Sequence, residues 1–286
     1  MNIRTAEDRD LNAVLSLWKE TFHEDERFDE WFFFKEYKAE NTLVLCDGGE
    51  IRSMLQMIPV TVLSNGKELK ASYIYGAATD VRYRSRGYMG KLLSASFEEG
   101  RRRGDRLSVL IPQEKSLFDY YGRFSYYPAF SISKRSVSIS EISFAEEGGK
   151  NVAADASKWV YMNEIYEKNL VGTAHIKRSP EIFASQIDLF SKTGGRVSVL
   201  QNGGEVVAYA FAYKNGESLV VQEAMGKTEG YRNECILNIM KETGICTAEV
   251  WEAGCGAPFG CARVVGEDAD PEMHTIRGGY MNLLFN

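Results

Sequence analysis

Arg84-Ser85-Arg86-Gly87-Tyr88-Met89-Gly90 is the stretch on which the reading of this chain turns. Upstream of it, Leu69 to Val81 is a β-rich run. Downstream, Leu92, Leu93 and Phe97 recur at helical spacing until Gly104 stops the pattern. The stretch is therefore expected to join a strand to a helix covering Met89 to Arg103. At such a junction the first backbone N–H groups of the helix have no intrahelical partner, and the helix dipole adds partial positive charge. A diphosphate placed there collects several charge-assisted hydrogen bonds. Gly87 lets the backbone approach it closely, and Arg84 and Arg86 can flank it. A basic surface loop would look the same in isolation, so the surrounding elements decide between the two.

Those elements have a definite order. Thr5-Ala6-Glu7-Asp8 resembles a capping box. Leu11, Val14, Leu15, Trp18 and Phe22 then mark an amphipathic first helix. From Glu24 to Glu40, acids alternate with Phe28, Trp31, Phe32, Phe33, Phe34 and Tyr37, as in a second helix or a helical flap with one apolar side. Thr42 to Cys46 is strand-like and ends in the turn Asp47-Gly48-Gly49. Ile51 to Val62 resumes as a strand, interrupted at Pro59, and Asn65-Gly66 makes another tight turn. In the central strand, Gly76-Ala77-Ala78 is too small for ordinary packing, which suggests a bulge or a molecule lying against the backbone. Beyond the helix come a short strand (Leu107 to Ile111), a helix (Lys115 to Tyr121) and a strand (Phe130 to Ile139).

With this order, the loop resembles the signature of the GNAT superfamily of N-acetyltransferases, Gln/Arg-x-x-Gly-x-Gly/Ala after the fourth strand. Arg84 and Gly87 match, and Met89 stands where Gly or Ala is usual. Tyr121-Gly122-Arg123-Phe124-Ser125-Tyr126 is similar to the enhanced intracellular survival branch, which fuses an N-terminal GNAT domain to a degenerate second one. The resemblance implies an α+β fold of tandem GNAT-like domains, each a mixed β-sheet flanked by helices. It also implies acetyl-CoA as cosubstrate, with no metal. Carried onto this sequence, Arg84, Ser85, Arg86, Gly87, Tyr88, Met89 and Gly90 hold the diphosphate. Thr79 and Val81 pair with the pantetheine arm, and Ser116 is a further polar contact. Tyr121 corresponds to the general acid, since a phenol holds its proton at neutral pH and can deliver it to the departing thiolate.

The general base is less defined. No glutamate occurs in Tyr73-Ile74-Tyr75-Gly76-Ala77-Ala78, and Asp80 is the nearest acid. The branch uses the chain's own C-terminal carboxylate, whose counterpart is Asn286, while water or an acidic residue stays open. Glu24, Asp25, Asp29 and Glu30 on the flap could bind a cationic acceptor.

An acidic, glycine-containing stretch suggests a linker over 141–155, dividing a domain at 1–140 from another at 156–286. The second half repeats the helix–helix–hairpin–strand order, with helices near Ser157 to Asn169 and Ser179 to Ser191. Strands follow at Arg196 to Leu200, Val206 to Tyr213 and Ser218 to Glu223. Gly226-Lys227-Thr228-Glu229-Gly230-Tyr231 takes the position of the phosphate loop but lacks the arginine and the spacing. A scaffold that walls the substrate cleft is the expectation for this half.

Bulk composition fits an enzyme of this kind. The formal charge is −6, which disfavours a nucleic-acid partner and suits a small-molecule or peptide amine. Five cysteines form no CxxC pair and the three histidines lie far apart, so zinc or a His-based site is not expected. Without an apolar run long enough to span a bilayer, and with a polar start, a cytoplasmic location and no membrane partner are expected. Relatives with tandem domains often assemble, which keeps a homo-oligomer among the expected partners. The competing expectation is a non-catalytic CoA-binding sensor or assembly protein on the same fold.

Overall fold

The computed structural model describes residues 1–142, 148–266, 276–283 and 285. In chain order the elements begin with β1 (Asn2–Thr5), α1 (Leu11–Phe22), α2 (Glu26–Lys35), β2 (Thr42–Asp47), β3 (Glu50–Ser64) and β4 (Lys67–Thr79). They continue with α3 (Tyr88–Arg103), β5 (Leu107–Leu110), α4 (Lys115–Gly122), β6 (Tyr127–Ser138), β7 (Lys150–Val152), α5 (Ala156–Asn169) and β8 (His175–Ile176). The last are α6 (Pro180–Thr193), β9 (Arg196–Asn202), β10 (Glu205–Asn215), β11 (Ser218–Gly226), α7 (Glu229–Thr243), β12 (Thr247–Ala253) and β13 (Ala257–Val264). The chain forms two compact units, one of residues 1–130 with 258–277, the other of 131–257 with 278–286. Within the stretch expected to be a linker, residues 143–147 lie outside the described residues, and Lys150–Val152 pair with β9 as a strand.

The first unit carries a mixed sheet in the order β1-β2-β3-β4-β5-β13. Every pair is antiparallel except β4 with β5, which α3 separates in the chain. A parallel pair needs such a crossover. The apolar stripe of α3 (Leu92, Leu93, Phe97) packs with Leu43, Leu55, Met57, Ile74 and Leu110. On the other side of the unit, Trp18 and Phe32 join Tyr75 of β4 in an aromatic cluster.

The second unit repeats the plan in the order β6-β12-β11-β10-β9-β7, with one parallel pair, β11 and β12, separated by α7. Ala208, Ala210, Val221, Ile236, Ile239, Met240 and Val250 form its core.

Three local expectations are corrected. Thr5 closes strand β1, and the carboxylate that caps the start of the helical region belongs to Asp10, which accepts from the Glu7 N–H at 2.8 Å. Pro59 does not interrupt β3. It lies beyond Gln56, the last β3 residue shared with β2, so its missing N–H deprives no β2 carbonyl. The central strand ends at Thr79, because the Asp80 carboxylate accepts from the Arg82 N–H and turns Val81 to Tyr83 into a short 3-10 helix. Residues 2–5, 229–243, 247–253 and 257–264, for which no element is expected above, form β1, α7, β12 and β13.

Candidate active site

The site starts from the way β4 and β5 part. Their pairing runs from Ala71↔Leu107 to Tyr73↔Val109, and β4 then continues to Thr79 beyond its last β5 partner. Opposite β3 the register shifts between Met54↔Ala78 and Gln56↔Tyr75, so that Gly76 and Ala77 together oppose the single residue Leu55 in a bulge. Gly76 sits there at φ +56°, a conformation that side chains rarely adopt. The bulge read from the small-residue run is thus present.

At the end of β4 the chain turns into α3 through the loop 84–90. Gly87 is the N-cap of α3 at φ +74°, no side chain caps the helix, and space is open where a Cβ would stand. The first intrahelical bond is Lys91 N–H to the Gly87 carbonyl, so the N–H groups of Tyr88, Met89 and Gly90 precede the ladder. Ser85 is also left-handed, at φ +61°. Arg84 donates from Nε to the Thr79 carbonyl at 3.2 Å. Arg86 donates to the Arg82 carbonyl at 3.2 Å and lies over the Tyr83 ring, 4.7 Å from its centroid. Neither arginine forms an ion pair within 4.0 Å among the described residues, although Arg86 feels the charge of Asp47, so Arg84 is the freer of the two toward an anion.

The other loop residues divide between backbone and packing roles. Tyr88 is buried and donates its hydroxyl to Asp47, so it can offer a ligand only its N–H. Met89 packs partly buried against the α3 core, which accounts for an apolar side chain where the signature has Gly or Ala. At Gly90 a Cβ would stand 3.1 Å from the Phe124 ring, so its smallness serves the contact between α3 and the end of α4. Thr79 shares a hydrogen bond of 2.7 Å with Ser53. Val81 is 69 % exposed on the 3-10 turn, and Ser116 is exposed at the start of α4, its hydroxyl 3.4 Å from Glu114. The loop, Thr79 and Val81 thus follow one another around the end of β4, while Ser116 stands on a different helix.

Tyr121 lies on α4, its ring edge-on to Tyr126 at 5.7 Å, and it is near enough to Tyr73 to act on that phenol electrostatically. Burial pushes the Tyr121 hydroxyl up to about 12, with smaller contributions from Tyr120 and Cys261. The Tyr126 hydroxyl is engaged with Ser108 at 2.6 Å, whereas that of Tyr121 makes no hydrogen bond among the described residues. From Tyr121, a line of rings runs through Tyr73 to Tyr75 (5.5 Å) and on to Trp18 (5.5 Å). Beside them the Gln56 side-chain N–H₂ is buried with no partner among the described residues. Gln56 is not among the expected site residues, because a single polar residue in a strand carries no local signal.

The acids near this line have separate tasks. Both oxygens of Asp80 engage Arg82, with Arg52 adding a third contact, which lowers its carboxyl to about 2. A carboxylate so held is a poor proton acceptor. Asp25 caps α2 and pairs with Arg27. Asp29 is buried and accepts from the Trp18 indole N–H at 2.7 Å. Burial, aided by the Asp29 charge, raises the Glu24 carboxyl. Asn286 lies outside the described residues. Among those residues no group of three or more His, Cys, Asp and Glu stands together as a metal site, and no helix is long and apolar enough to cross a membrane.

In the second unit the corresponding place is filled from within. Pairing of β11 with β12 stops at Val221↔Val250, and the next β11 carbonyl, that of Gln222, accepts from the Asn282 side chain. Arg178 holds the Asn282 carbonyl at 2.8 Å. The N-terminus of α7 is capped by Thr228, whose hydroxyl accepts from the Tyr231 N–H. A shallow cavity of about 280 Å³ beside it is lined by Arg135, Arg232 and Glu252, and the carboxylate of Glu252 already pairs with both arginines.

Residues 2–129 match the family model described as an acetyltransferase (GNAT) domain. No curated protein sequence matches the chain. A conserved Enterococcus faecalis protein of unknown function is similar in structure, with a TM-score of 0.76 at 14 % identity, over 92 % of this chain and 72 % of that one. A GCN5-related N-acetyltransferase from Anabaena variabilis gives 0.74 at 13 % identity over the same shares. Eis1 from Mycobacterium abscessus gives 0.68 at 12 % identity, over 93 % and 74 %. At these identities the structural likeness speaks for the fold.

Proposed function

We propose, from the match of residues 2–129 to an acetyltransferase (GNAT) domain, that this protein moves an acetyl group from acetyl-CoA directly to a primary amine. The observation that carries the reading is the uncapped N-terminus of α3, with Gly87 open to solvent, set at the end of a strand that outruns its neighbour. The site fits the donor in three respects. Backbone N–H groups, Arg84 and Arg86 suit a diphosphate. The length of β4 beyond Tyr73 offers a backbone edge to an extended arm. The unpartnered Gln56 amide supplies a buried donor near where that arm would end.

The chain's residues divide the work as follows. The loop 84–90 binds and orients the donor. The aromatic line from Tyr121 to Trp18 keeps water from its reactive end. When the amine nitrogen bonds to the acyl carbon and the carbon–sulfur bond breaks, Tyr121 gives its proton to the sulfur. Its raised hydroxyl supports that role, since it stays protonated at neutral pH. The amine's own proton leaves to an acidic residue or water. On the flap, the charge of Asp29, which already acts on Glu24, favours a cationic acceptor. Calorimetry with acetyl-CoA, followed by thiol release across a panel of primary amines, tests the reading. Binding without release for any amine would favour a CoA sensor, and absence of binding would remove both.

A further inference from the structure

We propose that Trp18 restricts the acyl group to short chains, acetyl and propionyl, by closing the α1 side of the site at the Gly76 bulge. This rests on the reading that the loop 84–90 holds CoA. An extended arm returning from the α3 N-terminus along β4 covers about 3.3 Å per strand residue. It passes Thr79 and Ala78 before it reaches the bulge at Gly76 and Ala77. The acyl carbon therefore arrives where Trp18 meets the strand.

The contact leaves no slack. A Cβ at Gly76 would stand 3.1 Å from Trp18 Cε3, closer still to Cζ3, and 3.4 Å from Gln56 Nε2. The ring thus lies directly on the glycine, with no room for one methyl carbon between them. Trp18 is also prevented from withdrawing. It is 1 % exposed, its indole N–H is bonded to the buried Asp29, and its ring is stacked on Phe32 at 5.1 Å. Phe33 meets it edge-on at 5.5 Å, and Phe22 and Tyr75 close further sides. Phe32 is itself fully buried behind it. Close-packed interiors of this kind do not yield a chain-sized gap without loss of contacts. A longer acyl chain has to displace a clamped indole or turn out of the reactive line.

The test compares acetyl-, propionyl- and hexanoyl-CoA as donors for the whole protein, with hydroxylamine as a small acceptor and thiol release as the readout. The wild type is expected to lose roughly 10–200-fold in kcat/KM from acetyl to hexanoyl, the range for misfit in an apolar pocket. Trp18→Leu is expected to raise the hexanoyl-to-acetyl ratio about tenfold, with Trp18→Phe intermediate. A thermal melt and acetyl-CoA calorimetry accompany each variant. Should Trp18→Leu fail to fold, the wild-type series and Trp18→Phe decide alone. Equal use of hexanoyl- and acetyl-CoA by the wild type overturns the inference, as does an unchanged ratio in folded Trp18 variants. Both outcomes leave CoA binding intact. Loss of acetyl-CoA binding in the wild type would instead overturn the donor reading itself.

Discussion

Arg178 and Glu223 face each other as a bidentate ion pair, with bonds of 2.5 and 2.9 Å and both side chains 1 % exposed. The hydroxyls of Tyr209 and Tyr280 donate to the two oxygens of Glu223, and the guanidinium lies over the Tyr166 ring at 4.1 Å. This network fixes residues 280–282 along β11 in the second unit. Breaking a buried pair by removing one partner leaves the other charge uncompensated, at a cost of about 3–5 kcal/mol. Glu223→Gln is expected to lose that much in urea unfolding. Arg178→Met added to it should recover a substantial part. A loss below about 1 kcal/mol, the worth of an ordinary hydrogen bond, would contradict this account.

Because Asn282 already occupies the Gln222 carbonyl and Thr228 caps α7, one CoA per chain is expected, bound at the first unit. Gly87→Val should abolish acetyl-CoA binding in calorimetry. The cause is conformational, since nothing stands within 4 Å of the added Cβ but φ is +74°. Gly87→Asn should therefore retain more affinity than Gly87→Val, because asparagine tolerates the left-handed region. Two bound CoA, or equal losses for valine and asparagine, would count against this.

Tyr121→Phe is expected to keep acetyl-CoA affinity and reduce turnover by about 10²-fold, the lower range for general acid–base catalysis. Tyr120→Phe should matter little. The pH profile gives a second check. Burial raises the Tyr121 hydroxyl to about 12, so the proton to be donated is present throughout the neutral range and is lost only as pH rises through that value. Turnover should then show no decline attributable to this group as far as pH of about 10, the ordinary phenol value. A wild-type rate already halved there, with protein still folded, would assign the proton to a different group.

The loop was legible because its physics is local. Glycine at a left-handed N-cap, arginines beside it and an apolar helical stripe after it are all near neighbours in sequence. Gly76-Ala77-Ala78 signalled a bulge for the same reason. Trp18 was legible only as one apolar position of α1, since its contact with Gly76 spans 58 residues of sequence. β13 gave no signal of its partner at all. Nothing local in Ala257–Val264 says that it will pair with β5, which precedes it by well over a hundred residues. Pro59 misled because the rule against proline in strands concerns a lost donor, and that donor had no partner on β2 to lose.

The partnership of β13 with β5 bears on any attempt to isolate the first unit. A fragment of residues 1–140, cut where the sequence suggests a linker, would omit Pro258–Arg277, which belongs to that unit. Cys261↔Leu110 to Val264↔Leu107 would be lost, exposing the edge of β5. Core contacts would go too, because Cys261 and Val265 are buried against α3 and Arg263 reaches the Phe124 carbonyl and the Phe97 ring. An unpaired edge beside exposed apolar core promotes association. The fragment is expected to be insoluble or to melt well below the intact protein, and acetyl-CoA should not restore it. A version in which residues 258–266 are supplied as a covalently linked strand should regain solubility and acetyl-CoA binding. Differential scanning of both, with light scattering to monitor association, checks the claim. A 1–140 fragment that is monomeric and melts like the whole chain would show that β13 is dispensable to the first unit.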